Sequence, residues 1–231
     1  MSSPLPARST TTNCPFLIRP RLEVVDGLDE PTDRGLATQL QPCEYWLKRQ
    51  LDVCLAGITL LILSPLLLAT AVAIKLTSRG PVFYRQQRLG IGERPFTILK
   101  FRSMRVDADR IGPAFTRDGD PRITAVGRII RRTSVDELPQ LINVLVGDMS
   151  LIGPRPYIGF ELESWSVEDR TRRASARPGI SGMSQAFGRS ANTVDQSRAL
   201  DIEYTRECSL FLDARIVART FAGLFSNRGT N

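Results

Sequence analysis

From Val53 to Ile74 the chain runs VCLAGITLLILSPLLLATAVAI, 22 residues without a charge. As a straight helix this run reaches about 33 Å at about 1.5 Å per residue, enough to cross a hydrocarbon core of about 30 Å. A helix this long inside a water-soluble domain ordinarily carries a polar face, and this run has none. It therefore predicts a membrane-embedded element. Ser64-Pro65 sits near its centre, and a proline inside a helix removes one ladder donor and crowds the preceding turn, so a break is expected there. The half before the break, Val53 to Leu63, has 11 residues and reaches only about 16 Å, roughly half the core. That length suits a re-entrant helix that dips in and returns. Lys48 and Arg49 before the run, with Lys75, Arg79, Arg85 and Arg88 after it, fit both ends on the cytosolic side. A kinked span with its C-terminal side inside fits the same charges, so both topologies stand. Under either one the rest of the chain is cytosolic.

On the N-terminal side, residues 1–44 hold Ser, Thr, Pro and scattered charge without a sustained apolar period, and read as a flexible leader. Phe16-Leu17-Ile18 is too short for the core of a signal peptide. Beyond the run, Pro81-Val82-Phe83-Tyr84 and Phe96-Thr97-Ile98-Leu99 predict short strands around a Gly90-Ile91-Gly92 turn. Leu138, Leu141, Ile142 and Leu145 recur at helical spacing up to Gly147, and Gly153-Pro154-Arg155-Pro156 follows as a stiff loop. Ser209 to Phe225 predicts an amphipathic helix with Leu210, Val217, Phe221 and Leu224 on one side, for core packing or for the bilayer surface. The pattern is that of a helix-rich α+β domain.

The chain has no histidine. That excludes Ser-His-Asp and Cys-His nucleophiles, HExxH zinc sites and any histidine base, leaving carboxylates, Lys, Tyr, Cys and hydroxyls. Cys14, Cys43, Cys54 and Cys208 form no CxxC, so neither a disulfide framework nor a thiolate metal site is readable, and reduced thiols are expected. Gly90-x-Gly92 meets Pro95 where a dinucleotide loop needs glycine, and no lysine lies in a P-loop. The net charge is +7, but the arginines are dispersed along a chain with an apolar run, which argues against nucleic acid as a partner.

Thr133-Ser134-Val135-Asp136-Glu137-Leu138-Pro139-Gln140 carries the chemistry that remains. Ser134-x-x-Glu137 matches a helix capping box. Pro139 complicates that reading, because with Ser134 as N-cap the proline falls where its N–H is needed. A helix beginning at or after Asp136 tolerates it. Adjacent carboxylates at a helix start, with Arg128, Arg131 and Arg132 upstream, then suit an anionic ligand and a divalent metal.

Ten motifs in order resemble the bacterial sugar transferase family, the monotopic polyprenyl-phosphate phosphoglycosyl transferases, in their short catalytic form. From residue 46 to about 220 they are Lys48-Arg49-x-x-Asp52, Ser64-Pro65, Ser78-x-Gly80-Pro81-Val82-Phe83, Gln87-Arg88-x-Gly90, Lys100-Phe101-Arg102-Ser103-Met104, Asp120-Pro121-Arg122-Ile123-Thr124, Asp136-Glu137-Leu138-Pro139-Gln140, Gly147-Asp148-Met149-Ser150, Gly153-Pro154-Arg155-Pro156 and Arg177-Pro178-Gly179-Ile180-Ser181-Gly182. The resemblance implies three parts: a leader over 1–44, a re-entrant helix broken at Ser64-Pro65 over 45–78, and a cytosolic catalytic domain with interfacial amphipathic helices over 79–231. It implies transfer of a sugar-1-phosphate from a UDP-sugar to polyprenyl (undecaprenyl) phosphate with release of UMP, at the bacterial inner membrane, as the first step of exopolysaccharide, capsule, O-antigen or glycoprotein glycan assembly.

The resemblance also implies roles. Asp136 would be the nucleophile and Glu137 the partner of Mg²⁺, or of Mn²⁺. Arg131 and Arg155 would clamp the nucleotide, with Lys100, Arg102, Pro154, Pro156 and Asp201 assisting at the substrate. Membrane lipid and downstream glycosyltransferases are the further partners it implies. A silent scaffold recruiting such glycosyltransferases is the alternative, which the intact Asp136-Glu137 pair argues against. The chain departs from the family pattern at Ser184 and Ala186, which bears on the choice of sugar.

Overall fold

The computed structural model describes residues 46–108, 119–162, 164–187 and 193–225, so the expectation of a leader over 1–44 lies outside the described residues. Helix α1 spans Trp46–Thr77, 32 residues with Pro65 inside. It is one element, not two halves separated at Ser64-Pro65. The local chemistry shows how it continues. Proline offers no N–H to the Leu61 carbonyl four residues back, and the Ser64 hydroxyl donates to that oxygen at 2.8 Å instead. The pair is thus a proline with its replacement donor one residue before it.

A stripe of α1 is buried along its length at Lys48, Asp52, Ala56, Thr70 and Ile74. The opposite face exposes Leu61 (76%), Leu68 (67%) and Leu76 (81%), so this is not the core helix of a soluble domain. Both ends are tied to the same body. At the start, Lys48 pairs with Asp213 at 2.6 Å, Asp52 accepts from the Ser150 hydroxyl at 2.7 Å, and Arg49 donates to the Val144 carbonyl at 2.8 Å. At the other end Ile74 packs with Phe101 and Ile130, and Arg102 donates to the Ser78 hydroxyl at 2.6 Å.

Strands β1 (Phe83–Leu89) and β2 (Pro95–Phe101) form an antiparallel hairpin with Arg88 opposite Phe96 and Tyr84 opposite Lys100. It is longer than the sequence indicated. Helices α2 (Ala125–Arg132) and α3 (Gln140–Val146) follow. A second sheet pairs β3 (Ser150–Ile152) in parallel with β4 (Gly179–Ser181). The backbones meet so closely that a Cβ on Gly153 would collide with the Arg177 carbonyl, which accounts for the glycines of both flanking motifs. Helices α4 (Val167–Ala174), α5 (Met183–Phe187), α6 (Val194–Glu207) and α7 (Leu210–Phe225) complete a helix-rich α+β body.

One core cluster joins Ala56 of α1 to Phe96, Ile98, Leu141, Val144 and Met149, fixing the membrane helix to the hairpin and α3. Another gathers Ile152, Met183, Tyr204, Leu212 and Ile216. Helix α7 therefore packs through Leu212 and Ile216, while Val217 and Phe221, expected on its apolar face, stay exposed. Cys54 is free and exposed, whereas Cys208 is disulfide-bonded, against the expectation of reduced thiols.

Candidate active site

Helix α2 opens on the Thr124 hydroxyl, which caps Gly127 N–H at 2.9 Å, and closes at Arg132. Ser134 then turns left-handed, with φ 56° and ψ 17°, and makes no cap with its side chain. The capping-box reading of Ser134-x-x-Glu137 is thus not realised. Val135–Glu137 forms a 3₁₀ turn, and α3 begins at Gln140 with Pro139 at the N-cap, where the missing N–H is no loss. The two acids stand one turn ahead of the helix. A serine held at positive φ costs about 1 kcal/mol or more, and here that strain lies two residues before Asp136.

Lys100, on β2, donates to Glu137 Oε1 at 2.6 Å. Asp136 is half-buried. Burial, and secondarily the charge of Glu137, push its carboxyl up to about 6, while Lys100 and Arg131 pull the other way. Arg131 sits in the last turn of α2. The structure therefore brings Asp136, Glu137, Lys100 and Arg131 together.

Arg155 faces the same space. It lines a cavity of about 1250 Å³ with Ser134 and Glu137, and the cavity continues along Leu55 and Leu63 of α1 and Val217 and Phe221 of α7. Its lining thus combines charged side chains, Glu137, Arg155 and Glu161, with apolar ones from the membrane helix; Asp136, Lys100 and Arg131 stand beside Glu137 but are not part of that lining. Pro154 and Pro156 shape the Arg155 loop from within. Pro154 is fully buried and its carbonyl accepts from Gly179 N–H at 3.0 Å, while the Pro156 carbonyl accepts from Arg88 at 2.8 Å.

Two residues expected at the substrate lie elsewhere. Arg102 is buried, and its hydrogen bonds go to Ser78, securing the end of α1. Asp201 is wholly buried and accepts from the Tyr157 hydroxyl at 2.9 Å, from Arg155 N–H at 3.3 Å and from Ser184, and is not itself part of the cavity lining. Sequence reasoning gave no role to Arg88, although its motif was visible. Arg173 and Tyr157 had no signal of their own.

Among the described residues no three acids, cysteines or histidines gather as a ready-made metal cage. Asp136 and Glu137 offer carboxylate oxygens alone, and Glu137 Oε2 is not engaged by Lys100. That donor set fits a hard divalent cation completing its shell with phosphate oxygens and water.

The sequence profile of the family described as "Bacterial sugar transferase" matches residues 43–227. The chain belongs to the bacterial sugar transferase family. It is therefore an enzyme that transfers sugar groups, as the motifs implied. This transferase is 40% identical to a UDP-glucose:undecaprenyl-phosphate glucose-1-phosphate transferase of Caulobacter vibrioides, over 97% of its own length and 93% of the relative's. A protein of the same description from Escherichia coli is also 40% identical, but there the match covers 92% of this transferase and 47% of the relative. A UDP-N-acetylgalactosamine-undecaprenyl-phosphate N-acetylgalactosaminephosphotransferase of Aeromonas hydrophila is 44% identical over 81% of this transferase and 46% of that protein. The chain spans about half the length of the last two.

Proposed function

We propose that the chain transfers a sugar-1-phosphate from a UDP-sugar to undecaprenyl phosphate or a similar polyprenyl phosphate, releasing UMP, through a phosphosugar carried on Asp136. The observation that carries this reading is the half-buried Asp136-Glu137 pair beside Lys100 and Arg131, with Glu137 and Arg155 lining a cavity that Leu55 and Leu63 of α1 also line. A nucleotide needs the cations, and a lipid phosphate needs a charged lining next to an apolar one.

In the first displacement an Asp136 oxygen attacks the β-phosphorus. The bond from that phosphorus to the bridging oxygen breaks, and UMP leaves with the electron pair. In the second, a phosphate oxygen of the lipid attacks the same phosphorus and Asp136 departs as a free carboxylate. No histidine base is needed, because a carboxylate attacks without losing a proton. Arg131 and Arg155 orient the phosphates and offset the charge on the transferring oxygens. Glu137, beside Asp136, would hold Mg²⁺ or Mn²⁺, which supplies further charge neutralisation at the phosphates when bound.

The placement of α1 supports a re-entrant course. Both of its ends bind the same body and basic residues flank both, which is what a helix held at both ends on the cytosolic face of the inner membrane requires. The test is UMP release by purified protein across a panel of UDP-sugars, with and without polyprenyl phosphate. Multiple turnover is expected with acceptor, and at most one UMP per site without it. Turnover without any burst or mass adduct in rapid quenching would point to direct attack by the lipid phosphate.

A further inference from the structure

The Arg155 loop is held at several of its backbone groups. The Arg155 carbonyl accepts from Arg173 Nη2 at 2.7 Å, and its N–H donates to Asp201 at 3.3 Å. Two residues on, the Tyr157 carbonyl accepts from Leu89 N–H at 3.0 Å, and the Tyr157 hydroxyl donates to the same Asp201 oxygen at 2.9 Å. Arg173 is 0% exposed and also reaches the carbonyls of Leu89 and Gly90 at 3.4 and 3.5 Å. Its guanidinium lies 5.6 Å from the centre of the Tyr157 ring. A fully buried guanidinium and a fully buried carboxylate are costly to desolvate, by several kcal/mol each before compensation. Apolar residues would fill the same volume without that cost. What they lack is directional bonding to both backbone groups of one residue.

We infer that Arg173, Asp201 and Tyr157 form a buried clamp that positions Arg155, and that the clamp acts on donor binding through Arg155 alone. The inference rests on Arg155 holding the donor phosphates. These are positioning residues: Arg173 and Asp201 do not line the cavity, and Tyr157, which does, has its hydroxyl taken by Asp201. A loop left free to shift by about 1 Å forfeits much of the advantage of fixed orientation, a loss that reaches about 100-fold in favourable cases.

The experiment pairs kinetics with hydrogen exchange in Arg173→Gln, Tyr157→Phe, Arg155→Ala and the double variant R173Q/R155A of the full chain. R173Q should raise the donor KM about tenfold, Y157F about threefold, both with the acceptor KM unchanged. Peptides covering 153–158 should exchange faster, while those covering α1 and β2 keep their wild-type rates. On the R155A background R173Q should add nothing. The clamp is overturned if folded R173Q keeps the wild-type donor KM and exchange pattern, or if its loss multiplies that of R155A. Should R173Q not fold, Y157F decides by the same two readouts. A wild-type donor KM in R155A would instead overturn the role given to Arg155, and absence of UMP release from any UDP-sugar would overturn the proposed reaction. In either case the exchange of 153–158 still decides whether the clamp exists.

Discussion

Asp136 combines two demands that pull in opposite directions. Burial raises its carboxyl to about 6 from an ordinary 3.8, yet the proposed reaction needs it ionised. Because the folded-state pKa lies above the unfolded one, the native protein holds a proton that the unfolded chain has released between about pH 4 and 6. Stability therefore falls as pH rises through that window, and at pH 7.5 the charge opposes folding by up to about 2–3 kcal/mol, less whatever solvent screens. Asp136→Asn should melt several degrees higher than wild type at pH 7.5 in EDTA, with the gap narrowing as pH is lowered toward 4, and its turnover should fall by several orders of magnitude. Equal melting temperatures across that range would remove the burial argument. Lys100 acts on the same group, since it lowers the Asp136 pKa and pairs with Glu137. Lys100→Met should push the Asp136 pKa further up, so the acid limb of kcat/KM should move to higher pH. A limb that stays put or moves down would show that Lys100 does not govern the nucleophile.

At the scale of elements, the Ser64-Pro65 pair makes the sharpest case. The Ser64 hydroxyl supplies the Leu61 carbonyl with the donor that proline lacks, on a stretch of α1 that is exposed and apolar. In lipid an orphaned carbonyl finds no water. Ser64→Ala should destabilise the protein in nanodiscs by about 0.5–1.5 kcal/mol. In a Pro65→Ala background, where residue 65 donates its own N–H, the same change should be nearly neutral. Equal effects in both backgrounds would separate the serine from the proline. This pair was legible as a motif, and its membrane setting followed from the apolar run. The expected break was not found, because a side-chain donor one residue away cannot be read from helix-breaking propensity. Ser134 went unread for a related reason: nothing in a serine signals positive φ, so a capping box looked sound on spacing alone. Asp136-Glu137 was visible because two acids beside three arginines are chemically conspicuous. The buried clamp was not, since charges buried by tertiary contacts look like surface charges in a sequence.

The whole molecule is organised around α1, whose two ends both bind the rest of the body. Lys48 read in the sequence as part of a charged flank and Asp52 as part of a motif, and the structure buries both. Lys48 pairs with Asp213, which also accepts from the Tyr204 hydroxyl at 2.7 Å, so the first turn of α1 is joined to α6 and α7 together. A spanning α1 would carry Lys48 some 30 Å away, across the hydrocarbon core. It would leave Asp213 buried without its cation, a loss of about 3–5 kcal/mol for breaking a buried pair. The latch thus separates two topologies that the basic flanks alone leave equal. Single cysteines at residues 46 and 78, in a chain otherwise free of thiols, should both resist an impermeant thiol reagent added outside intact cells. Lys48→Ala with Asp52→Ala removes the latch while Arg49 keeps part of the flanking charge. A fraction of those molecules should then expose residue 46 to the reagent, with residue 78 still protected. Labelling at residue 46 in the unmutated latch would mean that α1 spans the membrane, and that the contacts of its first turn with Asp213 and Ser150 do not survive in the bilayer.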